Sequence, residues 1–292
     1  MNAKWLIKLF ALPLTLFMGS TGAQETNGTA LAELKEIYEL VMDPNQMFSI
    51  SKTLGRLEII EPTIQTHDTA ALGKLLFLRS FVQSKANRDE EALSVGLEAL
   101  KIDDQTPFLS DEDKEILIHW LTESAKNEGN WQTAVELYER RLPLAGKYDE
   151  GQRLGLRSEM AYCLHEAGRY DDARAQNEDI LTQGETLYGQ GSERLLSVIT
   201  NLAQNFYMLK QYDRAQALLE RRLAIAKAHN EEWDIDDSLF QLGVLAFEQG
   251  QNAQAESLMK QRLALAKESG DADRMMDAEE ALQILYEKMG QR

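Results

Sequence analysis

Apolar side chains recur every three or four positions through most of the chain, and that recurrence is itself repeated about every forty residues. Leu195, Ile199, Leu202, Ala203 and Phe206 mark one face of a helix. Leu156, Met160, Ala161 and Leu164 mark a second, and Ala215, Leu218, Leu219, Leu223 and Ala226 a third. This is the period of an amphipathic helix. Proline is nearly absent from the same region, as helix interiors require.

Two markers fix the repeat. The segments Glu139-Arg140-Arg141-Leu142, Glu220-Arg221-Arg222-Leu223 and Lys260-Gln261-Arg262-Leu263 are near copies, with leucines 81 and 40 residues apart. The skipped copy falls at Leu181 and a weaker one at Leu100. Independently, Ala92, Ala134, Ala173, Ala215 and Ala255 are spaced 42, 39, 42 and 40, each eight residues before its leucine. A turn signal precedes every alanine: Asn87, Gly129, Gly168, Lys210 and Gly250 open it. Gly and Asn tolerate the left-handed conformation that ends a helix. One helix therefore stops and a second begins almost at once, and the alanine is small because the two approach closely there. The unit is a helical hairpin, five times over in residues 69–271.

Gly168-Arg169-Tyr170-Asp171-Asp172-Ala173 and Leu202-Ala203 with Phe206 resemble the tetratricopeptide repeat motif, and Leu242-Gly243 with Gly250 and Ala255 follows it less fully. The period of 39–42 residues resembles the longer, kinesin light chain variety. The proline that usually follows the second helix is missing. The resemblance covers roughly residues 70–290. It implies an all-α, right-handed superhelical solenoid whose first helices line a concave groove for a peptide or protein partner.

Outside the repeats, residues 29–42 and 46–61 read as two further helices split at Pro44, forming an N-terminal cap over 29–68. Residues 272–292 read as a C-terminal capping helix, since a hairpin stack otherwise ends in exposed apolar surface. Met1 to Ala23 has Lys4 and Lys8, then an apolar run from Leu9 to Met18, then small residues. That order reads as a signal peptide cut after about Ala23, with an uncleaved anchor as the alternative. Residues 24–28 are expected to lack structure. The expected location is periplasmic or secreted, in a bacterial envelope, with no membrane-spanning segment after cleavage.

Composition narrows the partner. With 48 acidic and 31 basic residues the net charge is −17, which disfavours nucleic acid. One cysteine excludes an internal disulfide and a Cys-based zinc site. Cys163 and His165 stand two apart on a helix and project away from each other, so they form no catalytic pair. Glycine-rich phosphate loops, nucleophile elbows and the zinc-protease helix are all missing. No enzyme activity, metal or cofactor is expected.

Counting from each repeat's small residue projects an inward-facing set: Trp120 and Glu123, Tyr162 and His165, Asn201, Gln204 and Tyr207, and Gln241. Amides satisfy both donors and acceptors of an extended backbone, and aromatic rings give contact area at small entropic cost. The alternative for the aromatics is packing between neighbouring first helices. Basic residues that clamp a ligand carboxylate in some tetratricopeptide proteins are missing; His119, Ser158, Thr200 and Phe240 stand in their places. The expectation is a non-catalytic scaffold that binds a protein or peptide. The alternative is an assembly element that self-associates through its terminal helices, suggested by Leu282, Ile284, Leu285 and Tyr286.

Overall fold

The computed structural model describes residues 21–64 and 68–291, with side chains from residue 28 to 290. Among these residues there are helices and turns and no strand. Most of the expected signal peptide lies outside them.

The chain divides between Leu144 and Ala145 into two compact units. The first holds α1 (Thr21–Met42), α2 (Ile50–Ile60), α3 (Thr69–Lys85), α4 (Asp89–Gln105), α5 (Asp111–Asn127) and α6 (Trp131–Arg141). The second holds α7 (Glu150–Glu166), α8 (Tyr170–Tyr188), α9 (Leu196–Met208), α10 (Tyr212–His229), α11 (Glu232–Glu248), α12 (Asn252–Ser269) and α13 (Ala272–Gln291). Within each unit, consecutive helices pack as hairpins of the tetratricopeptide type, α3–α4 and α5–α6 in the first, α7–α8, α9–α10 and α11–α12 in the second.

The sequence markers have direct structural causes. All five turn-opening residues have positive φ: Asn87 54°, Gly129 67°, Gly168 76°, Lys210 58° and Gly250 76°. Lys210 holds this conformation without the freedom of glycine, which costs about 1 kcal/mol. The five marker alanines are all buried. The repeated arginine ties three of the second helices, α6, α10 and α12, to carboxylates. Arg141 pairs with Glu115 at 2.8 Å and Arg262 with Asp236 at 2.8 Å, each on the first helix of its own hairpin, 26 residues earlier. The position 26 residues before Arg222 is Leu196, so Arg222 reaches forward to Asp234 and Asp237 of α11 instead.

Two boundaries differ from the sequence reading. Helix α2 begins at Ile50 rather than at residue 46: the chain after Pro44 is irregular, and Met47 is fully exposed. The described part of helix α1 runs through residues 24–28, which the sequence reading expects to lack structure; Thr26, Asn27 and Gly28 are weak helix formers, which hides the helix there. Ser110, by contrast, caps α5 by accepting from the Asp113 amide at 3.1 Å, and Asp111, Glu112 and Asp113 occupy the first turn. Cys163 is buried in α7.

Candidate functional site

The first helices of the second unit are α7, α9 and α11, and α13 continues the same series. Between α9 and α11 lies a cavity of about 290 Å³, floored by Ala215 and Leu219 of α10. Its walls are Gln204 and Tyr207 of α9 and Asp237, Phe240, Gln241 and Val244 of α11. Between α11 and α13 lies a second cavity of about 420 Å³, floored by Met259 of α12. The two share Phe240 and Val244 and so adjoin. They are one feature repeated: Ala215 and Leu219 correspond to Ala255 and Met259 one period on.

The same position between α7 and α9 is filled. Asn177 of α8 stands where Leu219 stands in the next hairpin, and its Nδ2 donates to Asn205 Oδ1 at 2.9 Å. Asn205 Nδ2 in turn lies 2.8 Å from His165 Nδ1. Both asparagines are fully buried. With Asn205 Oδ1 already accepting, its amide nitrogen donates to His165 Nδ1, which fixes a neutral imidazole. Tyr170 packs edge-on against the ring at 5.1 Å.

Burial holds the His165 imidazole below the usual histidine range, against the opposing pull of Glu166. Protonation would set a donor against the Asn205 donor. A depressed folded-state value means stability is full above the unfolded-state value, near 6.5, and is lost as pH falls through the folded one. We expect the unfolding free energy to fall between neutral pH and about pH 5, by at most about 1.4 kcal/mol per pH unit for this proton. Burial lowers His119 in the same direction. Denaturant titrations across that range should therefore show a shallower, not a flat, dependence in His165→Gln. An unchanged slope would remove the relay's role.

The structure thus gathers Gln204, Tyr207 and Gln241 in one cavity. Gln241 Nε2 donates to Asp237 Oδ2 at 2.7 Å, and Asp237 is itself held by Arg222 at 2.6 Å. Tyr207 tilts against Tyr212 at 5.7 Å, and burial, then the Glu248 carboxylate, raises its hydroxyl above the usual range. Asn201 is half-buried on α9, outside the residues lining that cavity, and Tyr162 is exposed on α7. His165 is occupied by the relay. Trp120 and Glu123 belong to the first unit. There Lys85 Nζ sits 3.7 Å above the Trp120 ring, Phe81 meets it edge-on, and Glu123 pairs with Lys126 at 3.3 Å.

The α13 wall was not anticipated. Yet Phe240, Val244 and Glu248 plus one period of forty give Glu280, Ile284 and Lys288, and all six line the larger cavity. Of the four apolar residues that suggested self-association, Leu282 and Leu285 are buried within the second unit. Ile284 and Tyr286 remain open, at 44% and 46% exposure. Among the described residues no cluster of His, Cys, Asp or Glu is placed to hold a metal ion, and no helix is long and apolar enough to cross a membrane.

Residues 152–228, covering nearly all of α7 through to α10, match the tetratricopeptide repeat family model. No curated protein matches the chain. Three solved structures are similar to it in fold. BtubC (BKLC) from P. vanneervenii is 18% identical, with a TM-score of 0.54 over 86% of this chain and 94% of that one. A kinesin light chain-type protein of Podosopora anserina with nearly identical TPR-like repeats is 20% identical, with a TM-score of 0.54 over 71% and 100%. Aspartyl phosphate phosphatase F from Bacillus subtilis is 13% identical, with a TM-score of 0.55 over 95% and 86%.

Proposed function

We propose that this chain, in which residues 152–228 match the tetratricopeptide repeat family model and whose fold is similar to kinesin light chain-type structures, is a non-catalytic scaffold that holds a peptide segment of a partner protein against the first helices of its second unit. The observation that carries the reading is the pair of adjoining cavities between α9, α11 and α13, with Phe240, 38% exposed, on the ridge they share. Apolar walls with a few placed polar groups suit ligand burial. The Gln204 and Gln241 amides offer donors and acceptors to a peptide backbone. The order of basic, apolar and small residues in Met1–Ala23 supports an address in the bacterial envelope, periplasmic or secreted. Self-association through α13 would draw on Ile284 and Tyr286, and this reading assigns Ile284 to the partner.

Peptides selected by display against the whole chain test the proposal. Tyr207→Ala with Gln241→Ala should weaken the selected peptides by about tenfold or more while circular dichroism stays unchanged. Selected peptides that bind the double variant as tightly as the parent would remove the groove from the account.

A further inference from the structure

The acidity of the second unit is confined to its C-terminal part. Residues 145–230 hold twelve acidic and eleven basic side chains, whereas residues 231–291 hold fourteen acidic and five basic. The larger cavity opens into this acidic part. Its own charges do not cancel. Arg262 is committed to Asp236 at 2.8 Å and lies against the Phe240 ring at 5.1 Å. The side-chain carboxylates of Asp277 and Glu280, both in the lining, have no cation within ion-pair distance among the described residues. Lys288 is the opposing charge on the same wall. The exposed Phe240 and Ile284 line the same cavity.

We propose that the cleft between α11 and α13 takes a cationic peptide segment in which Lys or Arg side chains flank a large apolar residue. The apolar residue packs on Phe240, Val244 and Ile284, and the cations meet Asp277 and Glu280. This deepens the groove reading and rests on it. The charges act over roughly a Debye length, about 8 Å at physiological salt, so they choose the partner's sign and speed its arrival more than they hold it. Contact area on the apolar ridge holds it.

Three short fluorescein-labelled peptides test this on the whole chain by anisotropy: one alternating Lys and Leu, one alternating Glu and Leu, one alternating Lys and Ser. The Lys/Leu peptide should bind tightest, and more weakly at high salt. Asp277→Asn with Glu280→Gln should weaken it about fivefold and flatten its salt dependence. Glu268→Gln with Glu279→Gln, which removes the same charge outside the lining, should leave it unchanged. Equal losses from both pairs would mean diffuse attraction to an acidic surface and would overturn the proposal, as would no loss from the first pair. A preference for the Glu/Leu peptide that disappears in Phe240→Ala would overturn the charge inference and leave the groove standing. Binding of every peptide unaffected by Phe240→Ala would remove both.

Discussion

Replacing Arg222 with alanine should lower the unfolding free energy by about 3 kcal/mol or more. Arg222 is 2% exposed, among the largest fully buried side chains. Its Nη2 donates to Asp234 Oδ1 at 2.6 Å, and its Nη1 to Asp237 Oδ2 at 2.6 Å and Ser238 Oγ at 3.0 Å. Burying a guanidinium is costly, and the pair of carboxylates offsets that cost. Truncation does not simply delete the interaction. It leaves two partly buried carboxylates close to each other with no cation, and a void between α10 and α11. Arg222→Lys keeps the charge but not the fork, so it should fall between the two. Urea unfolding of the parent and both variants measures this, and a loss below about 1 kcal/mol for the alanine variant would contradict it. The consequence reaches the groove, because Asp237 orients Gln241. Arg222→Ala should therefore weaken groove ligands in whatever fraction remains folded.

Ile199→Ala should cost about 2–5 kcal/mol, and Ile199→Val only about 0.5–1.5. Ile199 is fully buried in the cluster formed by α7 to α11, beside Leu202, Ala203 and Phe206. The alanine loses transfer free energy and leaves a cavity that rigid helices cannot close. Ile199 does not line the cavities between the first helices, so the folded fraction should keep its ligand affinity. The two substitutions thus differ in kind: Ile199 supports the stack, and Arg222 supports the stack and the site together. Parallel thermal melts and binding titrations separate them. Equal loss of affinity from both would mean the groove responds to stability alone.

The helices were legible because three signals agreed. Positive-φ positions recur before each second helix, small alanines recur where helices meet, and the Arg-Leu marker recurs where a second helix needs an ion pair. Arg222 shows the limit. Its sequence position copies Arg141 and Arg262, but its partner lies in the next hairpin, because Leu196 replaces the carboxylate. No single-repeat reading reveals that exchange.

Site residues were less legible because facing inward and being available are different properties. His165 faces the right way, but Asn205, forty residues on, and Asn177, on the intervening helix, consume it. Trp120 is a ring on a first helix, yet Lys85 covers it. Gln204, Tyr207 and Gln241 came together because α10 presents only Ala215 and Leu219 beneath them, leaving space. The α13 wall was missed for another reason. The repeat shows in its second-helix markers, and none of them pairs with α13 among the described residues. Its Glu280, Ile284 and Lys288 keep the first-helix register nonetheless.

If ligand lies against α9, α11 and α13 of the second unit, it must come within reach of side chains placed there. Site-specific photo-crosslinking in cells expressing the whole chain tests this most directly. A benzophenone side chain would replace Gln204, Phe240 or Ile284 in the groove, or Ala217 or Ala224 on the exposed side of α10. The account predicts a common crosslinked protein from the three groove positions and none from the two on α10. Adducts from the α10 positions alone would contradict it and place the binding surface on the second helices.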